Sequence, residues 1–456
     1  MILAALVVLA APPDFDALAT DYRAVMSSLV AADTTNPPGN EARAVSIIAA
    51  RLKKEGIAVE VTDFAPGRTN LVARLPGKGD EKPLMLLAHT DVVGVEGQAW
   101  STPPHTVTEK DGYLYGRGVR DDLSLVVGNL ELFIQLKRQG VKLRRDVLLV
   151  LTGDEESGGL GLRKLLEQKP ELANTGLVLN EGGSTITKEP GSTPFFVSYE
   201  VVHKIYRDFA VTTTGTTGHA SVPRKDNAIY KLARALSRVE GADAPPRLIP
   251  VMRAYFKARA PLEDPQTAKA MLALADAPDN ALPRDALAQV EKNPILAAQM
   301  RTTCVATMLS AGTKVNALPP SARANLNCRI LPDETVEALE QRLKAVIADP
   351  EVTITPEASW GAGPPSPLTG EFVDALKKVV GETWPKVPVI PVFGVGTTDS
   401  RFTREKGIAS YGFSPFPGLE ADGPRSHGID ERVPVKSIRQ GLELYWKLIL
   451  ELSQAK

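Results

Sequence analysis

The chain has 456 residues, more than one hydrophobic core usually serves, and its 53 Lys and Arg nearly balance 54 Asp and Glu. A net charge of -1 provides no basic field for a polyanion, so nucleic acid is not expected as a partner. Two cysteines, Cys304 and Cys328, lack the paired spacing of a Cys-based zinc site and leave the redox compartment open.

In chain order, residues 2–11 form an unbroken apolar run, followed by Pro12-Pro13 and the acids Asp14 and Asp16. This reads either as the apolar part of an export signal, making the protein periplasmic or secreted, or as a frayed terminus of a cytoplasmic protein. Ten residues are too few to span a bilayer, where about 20 are needed, and no other stretch reads as transmembrane. From Asp14 to about Ser192 helical and strand patterns alternate, as an α/β sheet requires. Strand-like runs cover Leu84 to Ala88, Val147 to Leu151 and Leu177 to Leu179. Leu123, Val126, Val127, Leu130 and Ile134 recur at helical spacing after Asp121-Asp122, with Gly140 placed as a C-cap glycine. Pro190 to Pro194 reads as a linker.

Beyond it, Phe209 to Thr213 reads as a strand and Asn227 to Val239 as a helix. Residues 248–308 read as inserted helices. Ala322 to Ile330 alternates strictly, with Ala322, Ala324, Leu326, Cys328 and Ile330 on one face. Cys328 there reads as a small buried hydrophobe. Gly361 to Pro367 reads as a second hinge, after which the first pattern resumes. The expected organisation is a catalytic domain at 14–194, completed by 363–456 and interrupted by a smaller α+β domain at 195–362.

The three apolar runs end in His89-Thr90-Asp91, in Asp154-Glu155-Glu156 and in Glu181. Ligands of open α/β sheets gather beyond the carboxyl ends of the strands, and imidazole with carboxylate suits zinc and related ions. Taken singly, each residue has a plainer reading. A lone histidine is often structural, as His105 and His203 are read here; Glu155-Glu156 suits the first turn of a helix, and Asp121-Asp122 suits a cap. Their arrival at the ends of separate strands favours one metal site. In an extended segment Glu155 and Glu156 would point opposite ways.

The ordered series His89-Thr90-Asp91-Val92-Val93, Gly116-Arg117-Gly118-Val119-Arg120-Asp121-Asp122, Gly153-Asp154-Glu155-Glu156-Ser157-Gly158, Asn180-Glu181-Gly182-Gly183, Gly218-His219-Ala220-Ser221-Val222-Pro223 and Gly396-Thr397-Thr398-Asp399-Ser400-Arg401 resembles the M20 family of co-catalytic metallopeptidases, above all its aminoacylase and carboxypeptidase S branch. The match runs from about residue 85 to 430. The resemblance implies a zinc-peptidase-like domain with a mixed sheet, interrupted by a lid and dimerisation domain. It implies two Zn2+ per chain, with Co2+ or Mn2+ as substitutes, bridged by Asp121: His89 and Glu181 complete one site, Glu156 and His427 the other. Glu155 becomes the general base and Asp91 a carboxylate orienting His89.

His219 becomes an oxyanion donor that dimeric relatives take from the partner subunit, and Arg401, with Arg329 and Asn316, the grip on a substrate carboxylate. A surface ion pair is the plainer reading of Arg329. The sequence departs from the family pattern at His203-Lys204, where an acid and Lys-Gly are usual, and in the Thr-rich Thr214 to Thr217. The expected function is hydrolysis of an amide next to a free carboxylate, of the dipeptidase or carboxypeptidase type, by a homodimer acting on a small peptide or an N-acyl amino acid. The rival enzyme reading is an aminoacylase or N-fatty-acyl amino acid hydrolase. A non-catalytic binding relative is the rival outside enzymes, disfavoured because Glu155 is present.

Overall fold

The computed structural model describes residues 12–79 and 81–455, so the apolar run at 2–11 lies outside the described residues. The chain divides into two compact units. One takes the chain up to Val201, Ser366–Val392 and the chain from Thr398 onwards; the other takes Val202–Pro365 and Phe393–Thr397. Pro190 to Pro194, read as a linker, instead connects the antiparallel strands Ser184–Thr187 and Phe196–His203.

The first unit is built on a mixed sheet of ten described strands. Its centre is parallel: Arg145–Thr152, Glu81–His89, Leu177–Asn180 and Ala409–Gly412 lie side by side in that order. Antiparallel strands flank them, Arg68–Leu75 and Val59–Ala65 on one side and Phe196–His203 on the other. Leu84 to Ala88 are fully buried, as are Val147, Leu149, Val150 and Leu151, because helices cover both faces of a parallel sheet and no residue is left for solvent. Met85, Leu87, Leu148 and Val150 pack with Leu162, Leu165 and Leu166 of the helix Leu160–Gln168. The helix Leu123–Arg138 packs on Glu81–His89 and on the N-terminal helix Phe15–Ala31, and Gly140 ends it at φ +57°. Each buried leucine in this core contributes about 1.5–3 kcal/mol.

The second unit carries a four-stranded antiparallel sheet in the order Thr303–Ala311, Ser321–Ile330, Ile205–Thr214, Val352–Trp360. The alternation of Ser321–Ile330 holds: Ala322, Ala324, Leu326, Cys328 and Ile330 are buried against the helices Ala228–Glu240 and Val336–Ile347. The inserted segment forms helices at Pro250–Arg259, Pro265–Asp276, Arg284–Val290 and Pro294–Gln299, three of them opening on a proline.

The helical reading of residues 248–308 fails at its end, since Thr303–Ala311 is a strand. Its β-branched Thr303 and Val305 find a partner in Ser321–Ile330, and that pairing decides the conformation. Cys304 sits directly opposite Cys328 and is disulfide-bonded to it, so Cys328 is buried but is not a free thiol. Lys204, at the departure from the family pattern, buries its ammonium against the last inserted helix, donating to Ala298 O (2.6 Å) and Arg301 O (2.8 Å). Burial and the nearby Arg329 lower its pKa to about 8.

Candidate metal centre

In the parallel register His89 lies opposite Thr152, and Asn180 opposite Gly412. His89, the residues after Thr152 and Glu181 therefore leave the sheet at one edge. After Thr152 the chain turns sharply through Asp154 at φ +67°, and Glu155–Ser157 forms one 3-10 turn rather than the extended segment expected. The two glutamates still diverge, by about a third of a turn. Asp91 fixes that turn: its carboxylate accepts the amides of Glu155 and Glu156, each at 3.2 Å, and the side-chain amide of Asn36 at 2.8 Å. The His89 imidazole meets Asp91 chiefly through the main chain, Nδ1 to O at 2.9 Å, with the carboxylate at 3.5 Å.

Arg68, Glu41 and Glu431, which the sequence did not single out, hold this frame. Asp154 is bound by Arg68 (2.7 Å), and Arg68 by the buried Glu41 (Nε–Oε2, 3.0 Å). Glu431, fully buried, accepts the amides of Gly118 (2.8 Å), Arg120 (2.8 Å) and Asp121 (2.9 Å) and pairs with the buried Arg117 at 2.8 Å. That loop delivers Asp121. Asp122 stands at the N-cap of Leu123–Arg138 but makes no side-chain cap bond, so capping does not explain the acidic pair.

The two oxygens of Asp121 face different imidazoles, Oδ1 to His89 Nε2 and Oδ2 to His427 Nε2, each at 3.3 Å. Glu181 lies 3.9 Å from His89 Nε2, and Glu156 3.0 Å from His427 Nε2. Glu155 shares the first neighbourhood, its carboxylate within 4.8 Å of both His89 and Glu181. Distance alone does not separate it from the ligands.

The charges are out of balance. Burial drives the carboxyls of Glu155 and Glu181 well above their ordinary range, and raises Glu156 despite its bond to His427. Asp121 goes the other way: burial opposes ionisation, but the bonds to His427 and His89 keep it ionised at low pH. His427 is raised to about 10 by its bonds to Asp121 and Glu156. Glu155 Oε1 and Glu156 Oε1 are buried without a hydrogen-bond partner. A surplus of buried acid with orphaned oxygens, beside two imidazoles, is what divalent cations neutralise, and the N/O donor set suits zinc. The chemistry such cations supply when bound is polarisation of a carbonyl and activation of a water.

Arg401 is in the same unit. Buried, it donates from Nη2 to Gly158 O at 2.8 Å and stacks on Phe402. A Cβ on Gly159, which sits at φ +73°, would come within 2.6 Å of Arg401 Nη2 and 2.8 Å of Asp399 Oδ1, so glycine there makes room for both. Asp399 is held by Thr152 Oγ1 at 2.9 Å and raised by burial to about 6.

His219, Asn316 and Arg329 belong to the second unit. His219 is exposed on a short strand paired with Ala317, and Asn316 O accepts the amide of Ala220. Nδ1 of His219 accepts from the Ser221 amide at 3.2 Å, which leaves Nε2 as the donor in the neutral ring. Arg329 stacks on Tyr206 and bonds Asn327. One chain does not bring Arg329 and Asn316 together as a single grip. Arg329 faces Tyr206 at one end of its strand pair, whereas Ser321 faces Thr214 at the other. That span is roughly 26 Å at about 3.3 Å per residue, and Asn316 lies beyond it.

A mixed α/β sheet whose strand edge gathers two imidazoles and four carboxylates defines a metal-dependent hydrolase. The model of Peptidase family M20/M25/M40 matches residues 85–451, and the chain belongs to that family. It is an enzyme acting on amide bonds. It is 30% identical over 391 residues to N-fatty-acyl-amino acid synthase/hydrolase PM20D1 of Homo sapiens, covering 82% of this chain and 74% of the relative. Aminoacylase-1 of Pongo abelii is 26% identical over 428 residues, covering 92% of each chain. Among solved structures, an M20 family metallo-carboxypeptidase, Sso-CP2 from Sulfolobus solfataricus, shares the fold with a TM-score of 0.71 at 17% identity, over 95% of this chain and 99% of that one.

Proposed function

We propose that the protein is a dinuclear zinc hydrolase that cleaves an amide next to a free carboxylate, releasing an amino acid from an N-acyl amino acid or a dipeptide. The observation that carries this is the Asp121 carboxylate, with one oxygen toward His89 and the other toward His427. Two cations sharing one carboxylate need that arrangement. In this reading His89 and Glu181 hold one zinc, Glu156 and His427 the other, and cobalt or manganese can replace them. Glu155 takes a proton from the attacking water and returns it to the leaving amine, with Asp91 holding its turn in place. Arg401 grips the carboxylate of the substrate, which positions the scissile amide. The names of the relatives, an N-fatty-acyl-amino acid synthase/hydrolase and an aminoacylase, support an acyl group on the other side of that amide.

The enzyme acts as a homodimer. Support comes from the edge strand Thr303–Ala311, which leaves Val305, Met308 and Leu309 more than half exposed. A second copy covers that strand, and its His219 and Asn316 serve the opposite site. The Cys304–Cys328 disulfide supports export to an oxidising compartment, in keeping with the apolar run at residues 2–11.

The test is turnover by the zinc-loaded enzyme of dipeptides and N-acyl amino acids, each beside its C-terminal carboxamide. Free acids are expected to be preferred by about 30-fold or more, the effect of leaving a desolvated guanidinium without its anion. Equal turnover of acid and amide would refute the carboxylate grip, and no hydrolysis of either would refute the function.

A further inference from the structure

Beside the metal centre the first unit holds a cavity of about 170 Å³, lined by the metal-site carboxylates Asp121 and Glu181 and by Arg120, Ser184, Ser414 and Phe416. A cavity of about 150 Å³ holds a benzene ring, so this one encloses a group of about six heavy atoms. Arg120 directly precedes the bridging Asp121. Its amide is pinned by Glu431 at 2.8 Å, and its guanidinium packs over Gly418, where an added Cβ would come within 2.9 Å of Nη1.

Among the described residues the Arg120 side chain has no ion pair and no hydrogen bond. The hydroxyls of Ser184 and Thr185 are spent as donors on the carbonyls of Gly183 (2.5 Å) and Ser414 (3.0 Å). The cavity thus offers an acyl group one charged donor, the Arg120 fork, a shape and charge that match a carboxylate. Three acids line it as well: Asp121 and Glu181 are committed to metal in the proposed function, and Asp122 turns one oxygen to the His89 amide at 3.4 Å. A cationic amine placed here would meet Arg120.

We infer that Arg120 makes this cavity the acyl-side subsite for a short acyl group ending in a carboxylate, so the preferred substrates are N-acyl amino acids of the dicarboxylic half-amide type. The inference rests on the proposed amide hydrolysis but is separable from it. The experiment compares kcat/KM for the N-succinyl, N-succinamoyl and N-decanoyl derivatives of one amino acid, in the wild type, R120M and R120K. The succinyl substrate is expected to exceed its neutral isostere by about tenfold or more. R120M should bring that ratio to within about twofold of unity, and R120K should keep part of it, because the charge remains without the fork.

A ratio near one in the wild type, a ratio unchanged in R120M, or faster cleavage of the decanoyl substrate would overturn the assignment. Loss of bound metal in R120M would do so too, placing Arg120 in the metal centre instead. Calorimetric binding of the succinyl and succinamoyl compounds to the E155Q protein reads the same preference without turnover. A preference in binding with no hydrolysis by the wild type would leave Arg120 in its role and reject the proposed function, whereas equal binding would reject the role of Arg120.

Discussion

Asp121 sits between two imidazoles at 3.3 Å each, so its replacement should act on both metal positions at once. For Asp121→Ala, elemental analysis is expected to show both ions lost; one tightly held ion would show that the carboxylate is not a bridge. The neighbouring glutamates separate by kind of loss. Glu155→Gln should lower kcat by about 10²- to 10⁴-fold with metal content near normal, while Glu156→Gln, deprived of the anion that faces His427, should bind metal poorly. The opposite pattern would exchange their roles. The pKa shifts give a sign for pH as well. His427 is raised to about 10 by the bonds to Asp121 and Glu156, and burial raises the carboxyls of Glu156 and Glu181, so all three hold their protons to higher pH than usual. Metal must displace them, and affinity should rise with pH, by about tenfold per unit for each proton released. Competition with a chelator at pH 6, 7 and 8 measures this, and a flat or falling affinity would contradict it.

At the scale of elements, the loop before Leu123–Arg138 depends on Glu431, which accepts three of its amides and pairs with Arg117. Glu431→Gln puts amide protons against those donors, and metal affinity is expected to fall about 10- to 100-fold although no ligand has changed. Unaltered affinity in a metal titration would show that the loop holds itself. Glu431 also marks where reading the sequence stops. The buried strands and their terminal His89, Glu155, Glu156 and Glu181 were legible because apolar runs and the residues that follow them are local signals. Glu431 is 310 residues from the Asp121 amide it holds, and Glu41 and Arg68 reach Asp154 from other elements, so only the folded chain shows their tasks. The same holds for Thr303–Ala311, whose strand state and disulfide come from Ser321–Ile330 lying beside it. Glu155 and Glu156 were expected to diverge on an extended segment; they diverge on a 3-10 turn because Asp154 takes a left-handed conformation held by Arg68 and by its bond to the Leu160 amide.

For the molecule as a whole, the proposed dimer gives each site a histidine from the other copy. Mixing inactive His219→Ala with inactive Glu155→Gln protein should restore part of the activity, because a mixed dimer regains one intact site. A fully active monomer at every assayed concentration would rule the sharing out. The central claim, that two metal ions held through one carboxylate carry out amide hydrolysis, is tested most directly by titrating the metal-free wild-type protein with zinc while following hydrolysis of an N-acyl amino acid. Activity should be absent without zinc and reach its plateau at about two equivalents per chain. A plateau at one equivalent, or turnover by the metal-free protein, would contradict the account.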